Sequence, residues 1–212
     1  MRVEVFECNP FCENTYVLYD DSSKEAAIVD CGCYTQDEKM RLVTFIEQNS
    51  LNVKYLLNTH LHLDHVFGNV FCTEKYGILP LAHQADEVLI KNFEQQLALF
   101  GLPAPDGVQN LGGYLTENDV LVIGGETVRI LHVPGHSQGS LCFYLPASKM
   151  IFVGDVLFKQ SIGRTDLQGG NYAQLIDGIT NKLLVLPDET VVYSGHGETT
   201  QIGYEKQYNP YL

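Results

Sequence analysis

Basic residues are scarce in this chain: 13 Lys and Arg stand against 26 Asp and Glu in 212 residues, a formal net charge of −13. No Lys/Arg cluster interrupts that imbalance, and phosphate binding needs a concentrated basic surface, so nucleic acid is disfavoured as a partner. Long apolar runs are missing too, which argues against a membrane span. The start, Met1 to Glu7, alternates like a strand instead of running basic, apolar and then small. No signal peptide is therefore expected, and a cytoplasmic location is. The six cysteines (Cys8, Cys12, Cys31, Cys33, Cys72, Cys142) include no C-x2-C pair. Neither a disulfide framework nor a zinc knuckle is expected from them, but mostly buried thiols. Low-complexity segments are also absent, and 45% hydrophobic with 18% charged residues is the composition of a folded domain. The expectation is one domain spanning 1–212.

What is present begins as strands at Val3 to Phe6, Thr15 to Tyr19 and Ala26 to Asp30, read as an antiparallel meander. Met40, Val43 and Ile46 then recur three apart, which predicts a helix ending near Asn49-Ser50. A strand from Val53 to Asn58 follows. After His65 a helix is predicted to continue to Tyr76, and Leu89, Phe93, Leu97 and Phe100 mark another. Gly101 to Gly113 is read as a loop overhanging the pocket. Four strands then lead to a helix capped by Asn171 that buries Tyr172, Leu175, Ile176, Ile179 and Leu183. A final strand, Val191 to Ser194, and a short helix, Gly203 to Gln207, complete the order. Strands followed by helix, twice over, predict an α/β fold of the four-layer αββα sandwich type.

The chemistry concentrates in His60-Leu61-His62-Leu63-Asp64-His65, four potential metal ligands in six residues just past a predicted strand. Imidazoles and carboxylates crowded this densely must be solvated, paired or coordinated. Three further candidates, His136, Asp155 and His196, also follow predicted strands, and each has a glycine directly before it, read as letting the backbone turn sharply. Together the seven suit two ions sharing a bridging carboxylate. A structural zinc would need only four ligands and would favour cysteine.

The set His-x-His-x-Asp-His, Pro-Gly-His-Ser, Gly-Asp and Gly-His-Gly resembles the metallo-β-lactamase superfamily, in the form of its short glyoxalase II-like, or hydroxyacylglutathione hydrolase-like, branch. The resemblance implies one metal held by His60, His62 and His136 and another by Asp64, His65 and His196, with Asp155 bridging. It makes Asp64 and Asp155 the catalytic carboxylates, and Asp30 the support behind the metal loop. It also places Arg164, in Gly163-Arg164-Thr165-Asp166, where the branch carries a basic residue for glutathione. The ending from Thr199 to Pro210 is similar to the short members, which lack the C-terminal helical domain of full-length glyoxalase II. The implied cofactors are two divalent ions, zinc first, with iron or manganese as alternatives.

The function implied is hydrolysis of a small-molecule thioester of the S-lactoylglutathione kind by a metal-bridging hydroxide. The alternatives are an iron-dependent persulfide dioxygenase using one His/His/Asp site, a lactonase, and a metal-binding family member without catalysis.

Overall fold

The computed structural model describes residues 1–103 and 109–212. In chain order its first half contains β1 (Arg2–Cys8), β2 (Glu13–Tyr19), β3 (Glu25–Val29), α1 (Gln36–Gln48), β4 (Asn52–Leu57), α2 (Leu63–Val66), α3 (Asn69–Tyr76), β5 (Pro80–Ala82), α4 (Glu87–Lys91), α5 (Phe93–Phe100) and β6 (Gly113–Tyr114). The second half contains β7 (Val120–Ile123), β8 (Glu126–His132), β9 (Leu141–Leu145), β10 (Met150–Gly154), β11 (Leu157–Phe158), β12 (Ser161–Ile162), α6 (Tyr172–Gly178), β13 (Val191–Ser194), β14 (Thr200–Gln201) and α7 (Ile202–Tyr208). Two six-stranded sheets result, in the orders β1-β2-β3-β4-β5-β6 and β14-β13-β10-β9-β8-β7.

Side-chain alternation along the strands builds the layers. β2 is buried throughout, yet Tyr16 and Leu18 face one core while Val17 and Tyr19 face another. The first core lies between the sheets, where Ala27, Val29 and Leu57 meet Ile123, Ile130, Phe143 and Phe152. The second packs Ile28 and Leu56 against Leu42 and Ile46 of α1. A third packs Tyr144, Ile151 and Val192 against Leu175 of α6 and Ile202 of α7. Helix, sheet, sheet and helix are thus stacked in the expected αββα order. Among the described residues, no helix is long and apolar enough to cross a membrane.

Local chemistry explains several boundaries. The Thr35 hydroxyl accepts from Glu38 N–H while the Glu38 carboxylate accepts from Thr35 N–H, a capping box that starts α1. Such a cap stabilises a helix end by about 1 kcal/mol. The helix predicted to run on to Tyr76 is instead broken between α2 and α3. Gly68 N–H donates to Cys31 O at 2.8 Å, and a Cβ on Gly68 would lie 2.4 Å from Cys31 Sγ, so the chain must bend around that loop. The helix predicted through Phe93 is likewise split into α4 and α5, and Phe100 is exposed. Tyr172, expected in the core, is 54% exposed. It follows the Asn171 cap, whose side chain accepts from Gln174 N–H, and that first turn lies outside the packed face. The Ala104–Val108 part of the predicted overhanging loop lies outside the described residues.

All the cysteines except Cys12 are buried, and none is disulfide-bonded among the described residues. Cys8 and Cys33 touch at 3.4 Å and Cys31 and Cys72 at 3.2 Å. Hydrogen bonding to Cys33 and burial push the Cys8 thiol up, so it packs as a small neutral group.

Candidate metal centre

Strands β3 and β4 run parallel in the first sheet, and β10 and β13 run parallel in the second. β8 shares the direction of β10 because each is antiparallel to β9. The segments after these five strands carry Asp30, His60 to His65, His136, Asp155 and His196, so all open at one edge of the sandwich. Leu141 N–H donates to Thr59 O at 2.7 Å and joins the two sheets there.

Two triads of ligand type form. His60, His62 and His136 are one, with His62 Nδ1 2.9 Å and His60 Nε2 3.2 Å from His136 Nε2. Nitrogens about 2.0–2.1 Å from a tetrahedral ion would stand roughly 3.3 Å apart, so a metal-sized position lies between these atoms. Asp64, His65 and His196 are the other, with Asp64 Oδ2 3.2 Å from His196 Nε2 and 3.7 Å from His65 Nε2. Asp155 spans the two: Oδ1 is 3.4 Å from His65 Nε2, and Oδ2 is 3.6 Å from both His136 Nε2 and His196 Nε2. His65 Nε2 and Asp155 Oδ1 are both buried without a hydrogen-bond partner. Orphaned buried atoms are costly unless something satisfies them. An ion at the Asp64/His65/His196 triad would satisfy both, and the nitrogen and oxygen donors of the two triads suit zinc, iron or manganese.

His60, His65, His136 and His196 are each aimed by what holds the other ring nitrogen. His136 Nδ1–H donates to Arg164 O at 2.9 Å and His196 Nδ1–H to Phe11 O at 3.0 Å, leaving both Nε2 atoms free toward the centre. Asp30 accepts from Thr59 N–H through Oδ1 at 2.7 Å, and through Oδ2 from Thr59 Oγ1–H at 2.6 Å and His65 Nδ1–H at 3.0 Å. Thr59 Oγ1 in turn accepts from His60 Nδ1–H at 3.1 Å. Asp30 also groups spatially with His60 and His65, but these bonds occupy its oxygens on the side away from the centre. Its φ of +51° is a conformation that Asp tolerates better than most residues.

The glycines before the ligands do not all act as expected. Gly135 and Gly154 adopt positive φ, 137° and 51°, as a sharp turn requires. Gly195 does not; its Cβ would lie 2.2 Å from Asp155 Oδ1 and 2.7 Å from His65 Cε1. It is a matter of space, not of backbone freedom.

Several supporting residues carry no sequence signal. Asn9 Nδ2–H donates to Gly32 O and Asp64 O, both at 3.0 Å, and Asn58 Nδ2–H donates to His65 O at 3.0 Å. Asn58 and Thr59 adjoin His60 and could have been suspected from position. Glu13 could not: it is fully buried, accepts from Thr15 Oγ1–H, and reaches within 4.0 Å of His65 Nδ1. Burial pushes its carboxyl well up despite His65. Arg164 lies beside the centre through its carbonyl, while its guanidinium makes an exposed two-bond pair with Asp166 at 2.7 and 2.8 Å.

The charges are ordered. Burial and the neighbouring His65 and His62 hold His60 well below the usual imidazole range, and burial with His136 pulls His62 down to about 3. His65 is raised well above it, because Asp64, Asp155 and Asp30 outweigh its burial. Asp155 and Asp64 are lowered, since His65 foremost outweighs their burial. A raised pKa means that His65 carries a proton at neutral pH in the metal-free chain, whereas a metal ligand must be neutral. Metal uptake at pH 7 is therefore expected to release about one proton or more, with affinity rising as pH approaches the His65 pKa. Calorimetric titration in buffers of different ionisation enthalpy reads this directly; uptake with no proton release would remove His65 from the ligand set.

The family model of the Metallo-beta-lactamase superfamily matches residues 9–196. The chain is 38% identical to hydroxyacylglutathione hydrolase GloC of Haemophilus influenzae, over 100% of this chain and 98% of that protein. Among solved structures it is similar to the B3 metallo-beta-lactamase BLEG-1, at 36% identity and a TM-score of 0.89, covering 100% of this chain and 99% of that one. A protein crystallised in a di-iron-bound form is 31% identical with a TM-score of 0.84, over 99% and 100% of the two chains.

Proposed function

The chain belongs to the metallo-beta-lactamase superfamily and is a glyoxalase II-like homologue within it; from that premise we propose that it is a two-metal hydrolase of thioesters of the S-lactoylglutathione kind, with residues 1–212 as one catalytic unit. The observation that carries this reading is the position of Asp155, one carboxylate within 3.6 Å of ligand nitrogens from both triads. His60, His62 and His136 would hold one ion and Asp64, His65 and His196 the other. Two such ions supply a water acidified toward neutrality and an electrophile for the scissile carbonyl oxygen.

The residues themselves set what kind of leaving group suits the site. Asp64 and Asp155 are held ionised, so neither is a proton donor at neutral pH. A thiolate departs without one, whereas an amine does not. Phe158 lies 6.3 Å from His196, and Phe11, whose carbonyl holds His196, meets Phe100 edge-on at 5.2 Å. A dioxygenase with a single iron at a His/His/Asp site would leave the Asp64/His65/His196 group without a metal, and that group has ligand spacing here. The di-iron form of a similar protein supports the same reading.

The test is an assay of purified protein against S-lactoylglutathione, a small acyl thioester and a β-lactam, with metal content measured in the same sample. Thioester turnover with two ions per chain is expected. One iron per chain with oxygen consumption on glutathione persulfide would overturn the proposal, as would turnover of the β-lactam alone. In the same assay Arg164→Ala is expected to raise KM several-fold for the glutathione thioester and to spare the small one. Equal loss on both would remove the Arg164 side chain from substrate binding.

A further inference from the structure

Asp86 ends the 3-10 turn Gln84–Asp86 between β5 and α4, far in sequence from every ligand candidate. Its side chain is buried, with the residue 2% exposed, and it makes no capping bond to the helix that it precedes. The carboxylate reaches instead to two ligand segments. Oδ2 accepts from Leu61 N–H at 3.2 Å and Ser137 Oγ–H at 2.7 Å, and Oδ1 accepts from Gly139 N–H at 2.6 Å. Leu61 lies between His60 and His62, and Ser137 directly follows His136. The first segment leaves the first sheet and the second leaves the other, so one carboxylate spans the gap between the sheets at the three-histidine triad.

We propose that Asp86 is a positioning residue for one half of the centre, clamping the segment of His60 and His62 to that of His136 so that their three nitrogens face a single ion. This rests on the two-metal reading above. Three features support it. Burying a carboxylate is costly, and three donors, two of them backbone N–H groups of ligand segments, offset part of that cost here. Gly139 is shaped to the contact, since a Cβ there would lie 2.6 Å from Asp86 Cγ. Ser137 is locked as well, its hydroxyl 2.8 Å from that of Ser140, which also accepts from Ser137 N–H.

The clamp is one-sided. The other triad is held by different groups: His65 by Asp30 and Asn58, Asp64 by Asn9, and His196 by the Phe11 carbonyl. Loss of Asp86 should therefore loosen one metal and leave the other, which a general loss of stability would not do.

The experiment loads metal-free wild type, Asp86→Ala and Asp86→Asn with cobalt(II) and follows stoichiometry by elemental analysis and site identity by the visible spectrum. His196→Ala provides the reference spectrum for an ion left in the three-histidine site. The expected result is about 10- to 100-fold weaker affinity for the three-histidine ion in Asp86→Ala. Asp86→Asn, which keeps the shape and one acceptor oxygen, should fall between it and wild type. The Asp64/His65/His196 ion should bind as in wild type in both variants. Unchanged affinity at both sites would overturn the inference, and so would equal weakening of both, which marks Asp86 as a purely structural residue. Wild type that takes up no cobalt would instead overturn the two-metal reading, and this inference with it.

Discussion

Asp155→Asn is expected to reduce bound metal below two ions per chain and to lower kcat on a thioester by about a hundredfold or more. Asp155 approaches His65 through one oxygen and His136 and His196 through the other. An amide keeps the shape but offers one acceptor oxygen and no charge, so it cannot serve two cations. Removing one member of a buried charge pair typically costs about 3–5 kcal/mol, which is roughly two to four orders of magnitude in an equilibrium or a rate. His65 sharpens the expectation, because its raised pKa depends on Asp155 among the acids around it. With Asp155 neutralised, His65 should bind its proton less tightly. Elemental analysis, thioester turnover and NMR titration of His65 in the metal-free protein are the measurements. A variant that keeps two ions and wild-type turnover would refute the role given to Asp155.

Gly195→Ala is expected to have an effect of similar size for a different reason. The added methyl would stand 2.2 Å from Asp155 Oδ1, 2.7 Å from His65 Cε1 and 3.2 Å from Gly154 C. Two of the three atoms belong to side chains at the hub of the centre, so the clash is relieved by moving ligands. Overpacking of this kind costs about 1–3 kcal/mol, a fall of roughly 2–12 °C in Tm for a chain of this size. Displacing a reacting group by about 1 Å costs on the order of a hundredfold in rate. Gly197→Ala is the comparison: its φ is +72° but nothing lies within 4 Å of the added Cβ. It should lose about 1 kcal/mol of stability and keep both metals. If Gly195→Ala retains full metal content and activity, close packing around Asp155 is not what requires glycine there.

The ligand candidates were readable because their signals are local. His60 to His65 fall in one hexapeptide, and Gly-His or Gly-Asp after an apolar strand is a pattern of a few residues. Layer order was readable for the same reason, since period two in β2 and period three to four in α1 are set by neighbours along the chain. Where a predicted element failed, the cause came from far away. The helix after His65 breaks because the Cys31 loop occupies the space beside Gly68. The reason for Gly195 was misread because its clash partner, Asp155, is 40 positions earlier.

Sequence alone therefore determined the inventory: a layered α/β sandwich, seven candidate nitrogen and oxygen ligands at strand ends, and a chain poor in basic residues. Tertiary structure decided how the inventory works. It chose His62 Nδ1 but His136 Nε2 as the inward atoms, and paired the Arg164 guanidinium with Asp166. It also sank Glu13 beside His65 and set Asp86 across both sheets. A lone acid in a turn or a strand has no periodicity and no motif to announce it. Its role exists only once folding has brought its partners within hydrogen-bond distance and removed the water that would otherwise satisfy them.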